Sequence, residues 1–112
     1  MIEVHEVRLH LTDGQSVECY LEKIPPGYMG ELFFPPMSNN LLKVLFRSPQ
    51  QFATANECYE WLVSQALRYA TEFNLAVDRI DNPCNDPFIK RPDQQIVLAK
   101  LNVAVPVLVN GQ

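Results

Sequence analysis

The chain has 112 residues and a formal net charge of -4, with a pI near 5.0, and a chain of this length forms one domain that buries roughly two thirds of its unfolded surface. That acidity argues against a nucleic-acid binder, whose affinity comes from clustered Lys and Arg displacing counterions from phosphates. No run of about 18 apolar residues is present to span a bilayer, and the N-terminus opens on Ile2-Glu3-Val4-His5 rather than on a basic segment before an apolar one, so the expected setting is cytoplasmic.

From residue 2 to 24 the apolar residues recur with period two, Val7, Leu9 and Leu11 and then Val17, Cys19 and Leu21, which predicts two strands joined at Asp13-Gly14. A two-residue turn would set Leu9 against Glu18. A three-residue loop, Thr12-Asp13-Gly14 with Gly14 left-handed, instead pairs Leu9 with Val17 and Val7 with Cys19, and leaves Arg8 opposite Glu18 and His10 opposite Ser16 on a solvated face. His5 and His10 differ in parity, so they point to opposite faces and do not share a metal.

Pro25-Pro26-Gly27 then opens an expected connection of about 16 residues, a length that in a compact domain signals function or disorder. Its content is not that of a linker, because Tyr28, Met29, Leu32, Phe33, Phe34 and Met37 are bulky and must be buried on the domain or on a partner. Residues 41–46 read as a central strand.

Thr54-Ala55-Asn56-Glu57 is a capping-box start, and beyond it Cys58, Tyr59, Leu62, Val63, Ala66, Tyr69, Ala70 and Phe73 fall on one stripe of a helix. Asn74 followed by Leu75 predicts a left-handed stop. A short strand over 76–80 follows, then a turn-rich stretch over 81–95 without regular structure, then a half-buried strand over 97–105, where Val97, Ala99, Leu101, Val103 and Val105 alternate. The predicted architecture is a single α+β domain over residues 1–112, an antiparallel sheet of four to five strands on one main helix in the order β-β-β-α-β-β. Its core should hold Leu9, Val17, Cys19, Leu62, Ala66, Tyr69, Phe73, Leu101 and Val103.

Few residues point to chemistry. Cys19, Cys58 and Cys84 are widely spaced and form no C-x-x-C pair, so no disulfide framework or zinc knuckle is expected. Cys84 lies in a polar loop, where a thiolate nucleophile would need His5 or His10 as its base, and a small Cys84-dependent hydrolase or transferase is the alternative function. Asp78, Asp81 and Asp86 lack the spacing of a calcium loop, and four scattered glycines make no phosphate cradle, so neither metal nor cofactor is expected. Trp61 falls on the flank of the helical stripe beside Arg68. The first expectation is therefore a non-enzymatic interaction or accessory domain. It would contact a protein partner or a second copy of itself through Tyr28, Met29, Leu32, Phe33, Phe34, Met37, Trp61 and Arg68, and neither nucleic acid nor membrane is expected as a partner.

Overall fold

The computed structural model describes residues 2–35 and 44–110. Strands β1 (Glu3–Leu11) and β2 (Ser16–Ile24) form the first hairpin in the expected register, with Leu9 opposite Val17, Val7 opposite Cys19 and Arg8 opposite Glu18. The Gly14 N–H donates to the Leu11 carbonyl and the Leu11 N–H to the Gln15 carbonyl. Gly14 sits at φ 88°, where any other L-residue would be strained.

The expected long connection is instead a strand. A two-residue turn at Pro25-Pro26, whose peptide is cis, leads straight into β3 (Gly27–Phe34), with Ile24 opposite Gly27 and Cys19 opposite Leu32. Bulky residues at both parities hid the alternation, and Gly30 occupies the inward position where a large residue would have revealed it. The helix needs that gap, because a Cβ on Gly30 would lie 3.0 Å from Leu62 Cδ2 and 3.1 Å from Trp61 Cε3. Among the described residues strand β4 (Val44–Arg47) pairs only with β3 and is an edge strand, not the central one expected; residues 41–43 of that prediction lie outside the described residues.

Helix α1 (Ala55–Glu72) starts where its cap predicts, with Thr54 Oγ1 accepting from the Glu57 N–H at 3.1 Å. It ends in a Schellman arrangement: Asn74 is left-handed at φ 56°, its N–H donates to the Thr71 carbonyl, and the Leu75 N–H donates to the Ala70 carbonyl. Cys58, Tyr59, Leu62, Val63, Ala66 and Ala70 are buried beneath it. Phe73 is not a core residue as expected. It is the C-cap, beyond the last turn that faces the sheet, and stays 42% exposed with its ring 4.7 Å from that of Tyr69. Tyr69, Leu101 and Val103 are half-buried at the margin of the core.

Strand β5 (Val77–Asn82) runs two residues further than predicted and lies antiparallel to β1. The next two expectations fail together. Residues 91–100 form helix α2 (Arg91–Lys100), and the strand predicted over 97–105 is replaced by the end of this helix, a turn and an irregular stretch, beyond which a three-residue strand β6 (Val107–Val109) runs parallel to β5. The buried stripe of α2 is Gln94, Val97 and Leu98 at helical spacing, and the polar Gln94 at its first position broke the apolar pattern that reveals a helix. Pro92 in the first turn is a start signal that was present.

The outcome is an α+β fold with a six-stranded mixed sheet in the order β4-β3-β2-β1-β5-β6 and two helices. Helix α1 crosses the inner face over β3, β2 and β1, and α2 sits beside it against β6. No helix among the described residues is long and apolar enough to cross a membrane.

A buried polar network stitches the second half of the chain to β1. The Phe88 N–H donates to His5 Nδ1 at 3.1 Å, so the ring proton belongs on Nε2, which donates to Asn82 Oδ1 at 2.8 Å. Asn82 and Gln94 exchange reciprocal amide bonds of 3.1 and 3.0 Å, while Asn82 Nδ2 also donates to the Leu108 carbonyl and Gln94 Nε2 to that of Ile89. All three side chains are buried. Burial, reinforced by the Lys90 charge and opposed by the Asn82 hydrogen bond, lowers the His5 pKa below its ordinary 6.5. The unfolded chain then binds a proton that the native state refuses, so stability falls as pH drops below 6.5 toward the native pKa. A urea midpoint that declines as pH falls below about 6.5 in the wild type, and declines less in His5→Gln, is the expected result. Parallel curves for the two proteins would show that His5 is not the group responsible.

Candidate functional site

Among the described residues, the helices cover one face of the sheet only. Because side chains alternate along each strand, the register fixes the grid on the other face. One row crosses all six strands as Leu45, Phe33, Glu18, Arg8, Asp81 and Leu108. Arg47, Glu31, Tyr20 and Glu6 form the next row, and beyond it lie Met29, Glu22 and Val4. On the opposite side of the long row lie Ser16, His10 and Arg79.

Tyr20 is the centre of this face, ringed by Glu6, Glu18, Glu22 and Glu31. Its ring stands edge-on to Phe33 at 5.7 Å, and its hydroxyl donates to Glu18 Oε2 at 3.3 Å. Burial, then the nearby Glu18 and Glu6 charges, push the Tyr20 pKa up to about 12. Glu22 is likewise raised, by burial first and then by Glu31, with Arg47 acting in the opposite direction. Ion pairs offset part of the charge, Arg8 with Glu6 at 3.2 Å, Arg47 with Glu31 at 3.4 Å and Arg79 with Asp81 at 3.6 Å, and His10 Nε2 is hydrogen-bonded to Asp81 Oδ2 at 2.6 Å. Apolar area lies among these charges, since Val4, Leu45 and Leu108 are 43%, 51% and 53% exposed.

The hollow beside Tyr20, lined by Val4, Glu22, Glu31 and Phe33, holds about 210 Å³, less than the ~300 Å³ at which ordinary ligand pockets begin. A shallow depression of about 350 Å³ at the β5–β6 end, bordered by Arg8, Asp81, Arg91 and Asn110, carries charges of both signs.

The eight residues singled out for partner contact do not share one surface. Met29 and Phe33 lie on the open face, whereas Tyr28, Leu32 and Phe34 lie on the opposite, helix-covered face; Tyr28 meets the Phe88 ring at 5.7 Å, Leu32 is fully buried and Phe34 stacks on Tyr69 at 5.0 Å. Trp61 is half-buried under Phe46 and Phe52, with ring centroids 5.5 and 5.9 Å away. Arg68 is exposed on α1, and Met37 lies outside the described residues. Val4, Tyr20, Leu45 and Leu108 were missed, although the parity of β1 and β2 already set Val4 and Tyr20 on the face of Glu6 and Glu18.

The structure does not join Cys84 to a base. Both ring nitrogens of His5 are occupied by Phe88 and Asn82, and His10 Nε2 is bonded to Asp81. Burial raises the Cys84 pKa against opposing backbone amide bonds, which lowers its thiolate fraction. Its loop is tied down by Asn110, whose Nδ2 donates to the carbonyls of Pro83 and Cys84. All three cysteines are free, with Cys19 and Cys58 in the core. Among the described residues no three His, Cys, Asp or Glu side chains converge as metal ligands would. No protein-family model, curated protein or solved structure matches this chain.

Proposed function

We propose that the chain is a non-enzymatic protein-interaction domain whose contact surface is the open face of its sheet, centred on Tyr20 and Phe33. The observation that carries this reading is the one-sided cover: six strands have helices on one face, and the other presents an aromatic pair and exposed Val4, Leu45 and Leu108 among paired charges. Aromatic anchors within a polar surround are the usual composition of an interface that also stays soluble alone. Nucleophilic catalysis has less support, because a Cys84 mechanism needs a base and both histidines are committed elsewhere. The free thiols agree with a reducing compartment, and we place the domain in the cytoplasm.

A photoreactive side chain at Phe33, compared with one at the exposed Gln95 on α2, tests the reading in extracts of the cells that make the protein. A discrete protein adduct from position 33 and none from position 95 is expected. No adduct from position 33, or equal labelling from both, would rule the open face out as the contact surface.

A further inference from the structure

Resting on that reading, we propose that the partner is a second copy of the chain, stacked face to face about a two-fold axis running along the midline of the sheet between β2 and β1. The order β4-β3-β2-β1-β5-β6 divides there into two sets of three strands. Such an axis lays β2 over β1, β3 over β5 and β4 over β6 of the second copy, and each residue then meets the one equally far across the midline in its own row.

The side chains on the face complement one another under this operation. In the long row Glu18 meets Arg8 of the second copy, twice by symmetry, and at the two sheet edges the exposed Leu45 meets the exposed Leu108. In the next row the Tyr20 hydroxyl faces Glu6, and in the row on the other side Ser16 faces His10. Phe33 falls over Asp81, a carboxylate already held by His10 and Arg79. Isologous pairing demands such self-complementarity of one patch, and none of these pairings sets like charges against each other. Stacked sheets turn by about 30° relative to one another, so pairs next to the axis keep their register best. Arg8 and Glu18 are such a pair. With strands about 4.8 Å apart, the face offers roughly 600 Å² per copy, somewhat under the ~800 Å² per partner of a standard stable interface, which suits a reversible dimer.

The test uses Arg8→Glu and Glu18→Arg, both on the solvated face. Alone, each variant sets like charges against each other at two symmetric positions, and its self-association should weaken by at least about tenfold. Mixed in equal amounts, they should recover a dimer of one copy of each, because the new carboxylate at position 8 then faces the new guanidinium at position 18 and the two native groups face each other. Light scattering of the wild type, the two variants and the mixture, with circular dichroism confirming each fold, reads the outcome. A monomeric wild type, dimeric single variants, or folded variants that stay monomeric when mixed would each overturn the pairing. A position-33 adduct to a different protein would leave the contact surface in place while this pairing failed, so the two ideas fail separately.

Discussion

Replacing Leu62 by Ala should destabilise the domain by about 2 to 5 kcal/mol, toward the upper end of that range. Leu62 is fully buried at the centre of the α1 stripe, and the strand position beneath it is Gly30, which has no side chain to move into the space. Cavities that cannot collapse are the costly ones. A loss of that size is a large share of the 5 to 15 kcal/mol typical of a small domain. The urea midpoint should fall with the slope unchanged. The partner substitution has an unusual sign. Gly30→Ala alone crowds Leu62 and Trp61, yet in the Leu62→Ala background its methyl enters the vacated volume, so the double variant should be more stable than the sum of the two single losses. Strict additivity would show that Gly30 and Leu62 are not in contact.

The second large effect is expected at Asn82. Changing it to Leu keeps the volume but strips partners from His5 Nε2–H and Gln94 Oε1, both in the buried part of the fold, and from the part-buried Leu108 carbonyl. Each orphaned buried group costs about 1 to 3 kcal/mol. A total loss of about 3 kcal/mol or more is therefore expected in a chemical melt, with the β5, α2 and β6 region losing amide protection first, because the network ties those elements to β1. Asn110→Ala is the contrast, since its bonds to Pro83 and Cys84 are exposed and should be worth under about 1 kcal/mol. Equal losses at the two asparagines would contradict the assignment of the buried network as a structural clamp.

The same two sites explain how far the sequence could be read. Where a local rule and the tertiary packing agree, as in the three-residue loop closed by Gly14 or the helix bounded by Thr54 and Asn74, the register and the ends were legible to the residue. Legibility failed where packing asks for the opposite of the usual residue. Gly30 is inward-facing yet has no side chain, because Leu62 and Trp61 fill its place, and so β3 read as a loop. Gln94 is polar yet fully buried, because it pairs with Asn82, and so α2 read as an irregular segment. The odd-numbered apolar residues from Val97 to Val105 then imitated a strand, although Ala99 is exposed and Val97 and Leu98 are the pair that α2 buries. The open face was half legible. Parity placed Arg8, Glu18 and Tyr20 together, but β3 had to be recognised as a strand before Met29 and Phe33 could join them.

The proposed contact sets the uncovered side of the sheet against the same side of a second copy. Its most direct test is the light-scattering mass of the wild-type chain as concentration rises, set beside that of Glu18→Arg under identical conditions. The wild type should climb from the mass of one chain to that of two while the variant stays at one. A wild type that remains at the mass of one chain up to its solubility limit would contradict it.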